Sequence, residues 1–154
     1  MDVTLLAVGK LRPAFRQACD EYLKRLGRWA RVSEVEVREA SRAPNATVGR
    51  AQEAAALLRR LPDRATLIAL AREGTAWTSE QLAREVDRWR LAARPVAFVI
   101  GGSHGLDPDV LGRAQARWSL GPLTLPHELA RVVVSEQLYR AFTILSGEPY
   151  HKGR

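Results

Sequence analysis

Val96-Ala97-Phe98-Val99-Ile100 runs directly into Gly101-Gly102-Ser103-His104-Gly105, and this stretch decides the fold. Five successive apolar residues without polar alternation suit a strand covered on both faces, the kind found inside a parallel sheet. The glycines that follow leave room for a ligand to approach the backbone and permit positive φ angles. Asp107-Pro108 then reads as a helix N-cap followed by proline in the first turn. The glycine run therefore lies between a buried strand and a helix. Its spacing is neither GxGxxG nor that of a P-loop, whose Lys-Ser/Thr pair is missing, and taken alone it is equally an ordinary tight turn.

The same alternation extends in both directions. Upstream, Val3 to Val8 is a strand ended by Gly9, and Phe15, Cys19, Tyr22, Leu23 and Leu26 recur at helical spacing from Pro13 until Gly27. Cys19 on that stripe reads as a buried structural thiol. Val32 to Val37 suits a strand open to water on one side, and SRAPNAT leads into a helix from Thr47 to Arg60. Ala65 to Ala71 is a second continuous apolar strand, after which Gly74 opens a loop. Thr78 with Gln81 forms a capping box for a helix through Ala93 that carries Leu82, Val86 and Trp89, and Pro95 stops it. Downstream, WSLGPLTLP is a short apolar segment interrupted by Gly121-Pro122, and His127 to Ser146 is a long helix with Pro126 at its entry and Gly147 at its end. Strands alternating with helical crossovers predict an α/β fold with a parallel sheet, in one domain over residues 1–154.

Composition narrows the partner. With 24 Lys and Arg against 17 Asp and Glu, a net charge of +7, the chain favours a polyanion. A single cysteine excludes an internal disulfide, and three scattered histidines fit no zinc spacing, so no metal is expected. No apolar run approaches the roughly 20 residues of a membrane span, and a cytoplasmic protein is expected. Arg12, Arg16, Lys24, Arg25 and Arg28 are candidate phosphate contacts or an ordinary solvated face. Trp29, Trp77, Trp89 and Trp118 read as core or dimer contacts.

In open α/β sheets ligands bind beyond the carboxyl ends of the strands, which points to three loops: Leu70 onward, the run from Gly101, and Leu120 to Leu125. The last helix adds polar groups at three- and four-residue spacing, Arg131, Ser135, Glu136, Tyr139 and Arg140. Behind it comes the tail Tyr150-His151-Lys152-Gly153-Arg154, which would set stacking and proton-transfer groups beside a ligand if it folded back over one.

FVIGGSHG, LGPLTLPHELARVVVSEQLYRAF and the ending GEPYHK together resemble the ribosomal large-subunit methyltransferase H family, a minimal SPOUT methyltransferase, and LLAVGKLRPAFRQACDEYLKRL resembles its N-terminus. The likeness runs in order through essentially the whole chain. It implies a SPOUT-type parallel sheet flanked by helices with a C-terminal trefoil knot, and a homodimer. It also implies methyl transfer from S-adenosylmethionine to N3 of a pseudouridine in 23S rRNA of the assembled ribosome, with no metal. Positions matching the family's cofactor site are Leu70, Gly101, Leu120, Gly121, Pro122, Leu123, Thr124 and Leu125. Positions matching its active site are Glu136, Arg140, Tyr150 and His151. The imidazole of His151 is the candidate acceptor for the N3 proton, Tyr150 is placed to meet the base, and Glu136 with Arg140 to orient the tail, the base or a phosphate. Two other classes stay open: a noncatalytic basic RNA-binding or ribosome-assembly protein, and a different nucleotide-using enzyme on a Rossmann-like sheet.

Overall fold

The computed structural model describes residues 1–153, so Arg154 of the tail lies outside the described residues. Five strands, β1 (Asp2–Val8), β2 (Arg31–Val37), β3 (Thr66–Thr75), β4 (Val96–Ile100) and β5 (Ala116–Trp118), form one sheet in the order β2-β1-β4-β3-β5. All four pairings are parallel. Helices α1 (Pro13–Leu26), α2 (Ala46–Arg59), α3 (Ser79–Leu91), α4 (Pro108–Arg113) and α5 (His127–Leu145) connect or follow them, and a short 3₁₀ helix, Pro149–Gly153, ends the fold.

Every residue of β4 is buried, as its unbroken apolar run requires of a strand at the middle of the sheet. Alternate side chains serve two cores. Phe98 and Ile100 pack with Leu5, Ile68 and Trp118 against Leu26 of α1, Val86 and Trp89 of α3, and Val134 and Leu138 of α5. Ala97 and Val99 face the other way, with Leu6, Val8 and Leu67, onto Ala54 and Leu57 of α2 and Val110 of α4. Phe98 meets Trp89 and Trp118 edge-on at 5.7 and 5.9 Å, contacts that contribute about 0.5 to 1.5 kcal/mol each beyond burial. Trp77 joins this cluster through Trp89 and Trp118, and Trp29 stacks on Phe142, so the tryptophans serve the core.

The local signals near Thr78, Asp107 and Pro126 are realised where the sequence puts them: Thr78 and Gln81 exchange a reciprocal capping box, and Asp107 caps α4. Asn45, inside the polar connection, is a further N-cap, its side chain accepting from the Val48 amide. One expectation is corrected. Gly74 does not open a loop; β3 continues through it to Thr75, which pairs with Trp118 after an irregularity in the register. A Cβ at Gly74 would lie 2.5 Å from the Arg117 carbonyl oxygen. The glycine is there because the edge strand β5 passes too close for a side chain, and strand-interior glycines carry that ambiguity in sequence.

Candidate active site

Because the sheet is parallel, the ends of β3, β4 and β5 emerge on one side, and together they open into a cleft of about 840 Å³. Its walls come from Leu70 to Glu73, from Ile100 to Leu106, from Trp118 and the segment Leu120 to Pro126, and from His127 and Ala130 on the first turn of α5. Of the eight positions expected to hold a cofactor, Leu70, Gly101, Leu120, Gly121, Leu123, Thr124 and Leu125 line this cleft. Pro122 is exposed and outside the lining. Gly101 is the tightest point: a Cβ there would lie 2.7 Å from both the carbonyl carbon and oxygen of Gly105, because the loop doubles back in a Gly102–Gly105 bridge. Ser119 braces the opposite wall, its hydroxyl accepting from the Gly121 amide at 3.2 Å. Leu123, 74% exposed, stands at the mouth.

The second group of candidates lies further along α5. Glu136 accepts from the Tyr150 hydroxyl at 2.7 Å and from the Arg140 guanidinium at 2.9 Å, so the tail is tied to the helix by one carboxylate. The Tyr150 ring also packs on Tyr139, with centroids 4.7 Å apart, and the Arg140 guanidinium sits 4.9 Å from its centre. Burial, and then the hydrogen bond to ionised Glu136, push the Tyr150 phenol well above its ordinary value, so it remains a neutral donor. His151 follows in the same 3₁₀ helix, with its Nδ1 buried and unpartnered. Glu136, Arg140 and Tyr150 are thus brought together, but none of the four candidates lines the cleft. Glu136 is nine residues beyond His127, about 13 Å along the helix axis.

Arg131 and Ser135, expected in a polar row along α5, are both buried. Arg131, 1% exposed, pairs with Glu34 at 3.1 Å and with Glu36, and donates to the Gly9 carbonyl at 2.9 Å. Ser135 bonds the Cys19 sulfur at 3.2 Å, and burial pushes that thiol up, consistent with an inert structural role. One turn earlier, Glu128 takes both the backbone amide and the guanidinium of Arg12, at 2.7 and 2.8 Å. Arg131 and Glu128, three residues apart, therefore clamp the turn after β1 onto the helix start that walls the cleft. A helical period cannot reveal this, since the partners, Glu34 and Glu36 on β2 and Gly9 and Arg12 in the turn after β1, lie about a hundred residues away in sequence.

The Arg12 amide, and after it the guanidinium, hold the Glu128 carboxyl below its ordinary 4.5. A group with a depressed native pKa contributes stability that is complete above the unfolded value and is lost as pH falls through the native one. We expect the stability gap between wild type and Glu128→Gln to be constant above about pH 5 and to close at lower pH, as urea midpoints across a pH series would show.

The α1 cations are mostly engaged inside the chain. Arg12 pairs with Glu128, Arg16 with Asp20 and Glu34, Arg25 with Glu21 and Arg28 with Glu148. Among the described residues no group of acidic, histidine or cysteine side chains could hold a metal ion, and no helix is long and apolar enough to cross a membrane.

Known proteins share both the sequence and the architecture. The family model described as "Predicted SPOUT methyltransferase" matches residues 1–151. The ribosomal RNA large subunit methyltransferase H of Pseudomonas aeruginosa is 48% identical over 155 aligned residues, which cover 99% of this chain and 100% of that protein. Among solved structures, a probable methylase family protein from Haemophilus influenzae Rd KW20 superposes with a TM-score of 0.54 at 14% identity, over 96% of this chain and 69% of that one. A putative methyltransferase from Legionella pneumophila, in complex with bound cofactor SAM, superposes with a TM-score of 0.51 at 14% identity, over 92% and 66%. The last two likenesses bear on fold alone. With a parallel sheet of this order, a strand-end cleft and a family match along nearly its whole length, the chain belongs to the SPOUT methyltransferases.

Proposed function

We propose that this protein transfers a methyl group from S-adenosylmethionine to N3 of a pseudouridine in 23S rRNA of the assembled ribosome, and that it does so as a homodimer. The observation that carries the reading is the separation along α5: the cleft adjoins its first turn, and the Glu136–Arg140–Tyr150 group lies roughly 13 Å further on. A second protomer arranged antiparallel along this helix would bring its tail to the first protomer's cleft. Half-exposed Leu129, Val132 and Val133 on α5 supply apolar surface for such a pairing. The trefoil knot implied by the family belongs to the same proposal. Its support is that the Leu120–Pro126 segment shares one cleft with the loop after β4 before the chain returns as α5 between α1 and α3.

The cleft's residues fit an adenosyl group. Gly101 leaves a cradle that a Cβ would fill, and the strand ends offer backbone amides and carbonyls to an adenine edge. Leu70, Leu120, Leu123 and Leu125 are placed to cover its faces, with Gly121, Pro122 and Thr124 shaping the loop between them. When bound, S-adenosylmethionine supplies a methyl already activated on a sulfonium, so the protein's task is alignment, from which about 7 to 11 kcal/mol of barrier lowering is available. Tyr150, kept neutral, donates to Glu136 and presents its ring to the base. Arg140 holds the same carboxylate in place, and His151 takes the proton that N3 gives up.

Tyr150→Phe keeps the packing on Tyr139 and deletes the charge-assisted hydrogen bond. We expect turnover to fall about ten- to a hundredfold while affinity for S-adenosylmethionine is unchanged, as single-turnover assays and calorimetry would show. The whole proposal is tested by incubating the protein with labelled S-adenosylmethionine and either ribosomes or deproteinised rRNA, then mapping the modified base. Binding to ribosomes without methyl transfer would instead support a noncatalytic assembly protein.

A further inference from the structure

The cations of this chain divide into paired and unpaired sets, and four of the unpaired ones lie in segments that meet beside the cleft. Lys10, Arg38, Arg42 and Arg50 make no ion pair among the described residues. Chain geometry puts them on one ridge. The Gly9 amide donates to the Val37 carbonyl at 2.8 Å, so Lys10 and Arg38 leave neighbouring strand ends. The loop carrying Arg42 then folds onto α2, where the Ala40 amide donates to Glu53 at 3.0 Å and Gly49 gives Ala43 room to approach. From the second turn of α2, Arg50 reaches the glycine loop and donates to the His104 carbonyl at 3.3 Å. His104 lines the cleft, so the ridge ends at its wall. Of the carboxylates here, buried Glu53 is taken by the Ala40 amide, and exposed Glu39 accepts from the Ser103 hydroxyl at 3.5 Å.

We propose that this ridge is the surface that grips the phosphate backbone of the RNA substrate, in place of α1, whose arginines are occupied by carboxylates. The inference rests on reading the chain as a methyltransferase of ribosomal RNA. Arginine forks match phosphate oxygens, and such contacts fix the position of the RNA without reading its sequence. The bond from Arg50 to a neutral carbonyl is long, and a phosphate oxygen forms a stronger, charge-assisted one. Backbone contacts there would hold the strand at the edge of the donor cleft.

The test compares R38Q/R42Q/R50Q with R59Q/R60Q/R84Q, which removes the same charge from exposed positions elsewhere on α2, its C-terminal cap and α3. Affinity for ribosomes and for deproteinised 23S rRNA is measured over a series of KCl concentrations. We expect the ridge variant to lose about two to three from the slope of log affinity against log salt. Its KM for ribosomes should rise roughly tenfold to a hundredfold. Its melting temperature and its affinity for S-adenosylmethionine should match wild type, and the control should keep the wild-type slope. An unchanged slope in the ridge variant, or an equal loss in the control, overturns the assignment. So does lost ribosome binding with intact binding to bare rRNA, which would give the ridge an acidic protein partner. If the wild type transfers no methyl group, the parent reading fails separately, while the slopes still decide the ridge.

Discussion

Gly101→Ala is expected to abolish cofactor binding while leaving the fold in place. The added methyl would meet the carbonyl carbon and oxygen of Gly105 at 2.7 Å and the Leu106 nitrogen at 3.1 Å. These are backbone atoms of a loop that must move as a unit, so no rotamer change relieves the overlap. The loop has to open by something near an ångström, and displacement on that scale costs on the order of a hundredfold in rate when it affects a positioned reactant. Calorimetry with S-adenosylmethionine should show at least that loss in affinity, and the ligand-induced rise in melting temperature should vanish. The apo melting temperature should change little, because β4 itself ends at Ile100 and its packing lies in the two cores. Gly112→Ala is the matched control: it lies in α4, where the added methyl meets nothing within 4 Å beyond its chain neighbours and its own helix backbone, and should bind as wild type does. Wild-type affinity in Gly101→Ala would remove the glycine loop from the cofactor site.

Arg131→Ala should cost stability on a scale that threatens folding. Arg131 neutralises Glu34 and Glu36 from inside the protein and satisfies the Gly9 carbonyl at the end of β1. Removing one member of a buried ionic group leaves the other charges uncompensated, at about 3 to 5 kcal/mol. Arg16 also contacts both carboxylates, which places the expected loss toward the lower end of that range. Urea unfolding would register it as a lower midpoint with an unchanged slope. The triple variant R131M/E34Q/E36Q, which fills the volume without stranding charge, should recover much of the loss. A loss under about 1 kcal/mol in Arg131→Ala would show that the three charges are hydrated rather than held. Since Arg131 and Glu128 clamp the same turn to α5, a folded Arg131 variant should also bind S-adenosylmethionine more weakly, through the displaced His127 wall of the cleft.

Much of the architecture was legible because it depends on short-range patterns. Unbroken apolar runs marked β4 and the start of β3, and weak alternation with polar residues marked β2 as a strand open to water on one side. Thr78 with Gln81 and Asp107 with Pro108 gave the helix starts, since a cap satisfies backbone amides within three residues of itself. The location of the cleft was also legible, because parallel strands oblige their following loops to share one side of the sheet. Gly74 was misread because a glycine needed for a neighbouring strand looks, in sequence, like a glycine needed for a turn.

What the chain determined by itself, then, is the class of fold, the order of its elements and the family, since each follows from local periodicity, capping and turn chemistry or from motifs in sequence. Tertiary structure alone decided the rest. It buried Arg131 against Glu34 and Glu36, tied Tyr150 to Glu136, and occupied the α1 arginines with carboxylates while leaving the Lys10 to Arg50 ridge free of ion pairs among the described residues. It also set the cleft and the tail group at different stations along one helix. A charge's partner is fixed by distance in space, and electrostatic energy falls with that distance whatever the separation along the chain.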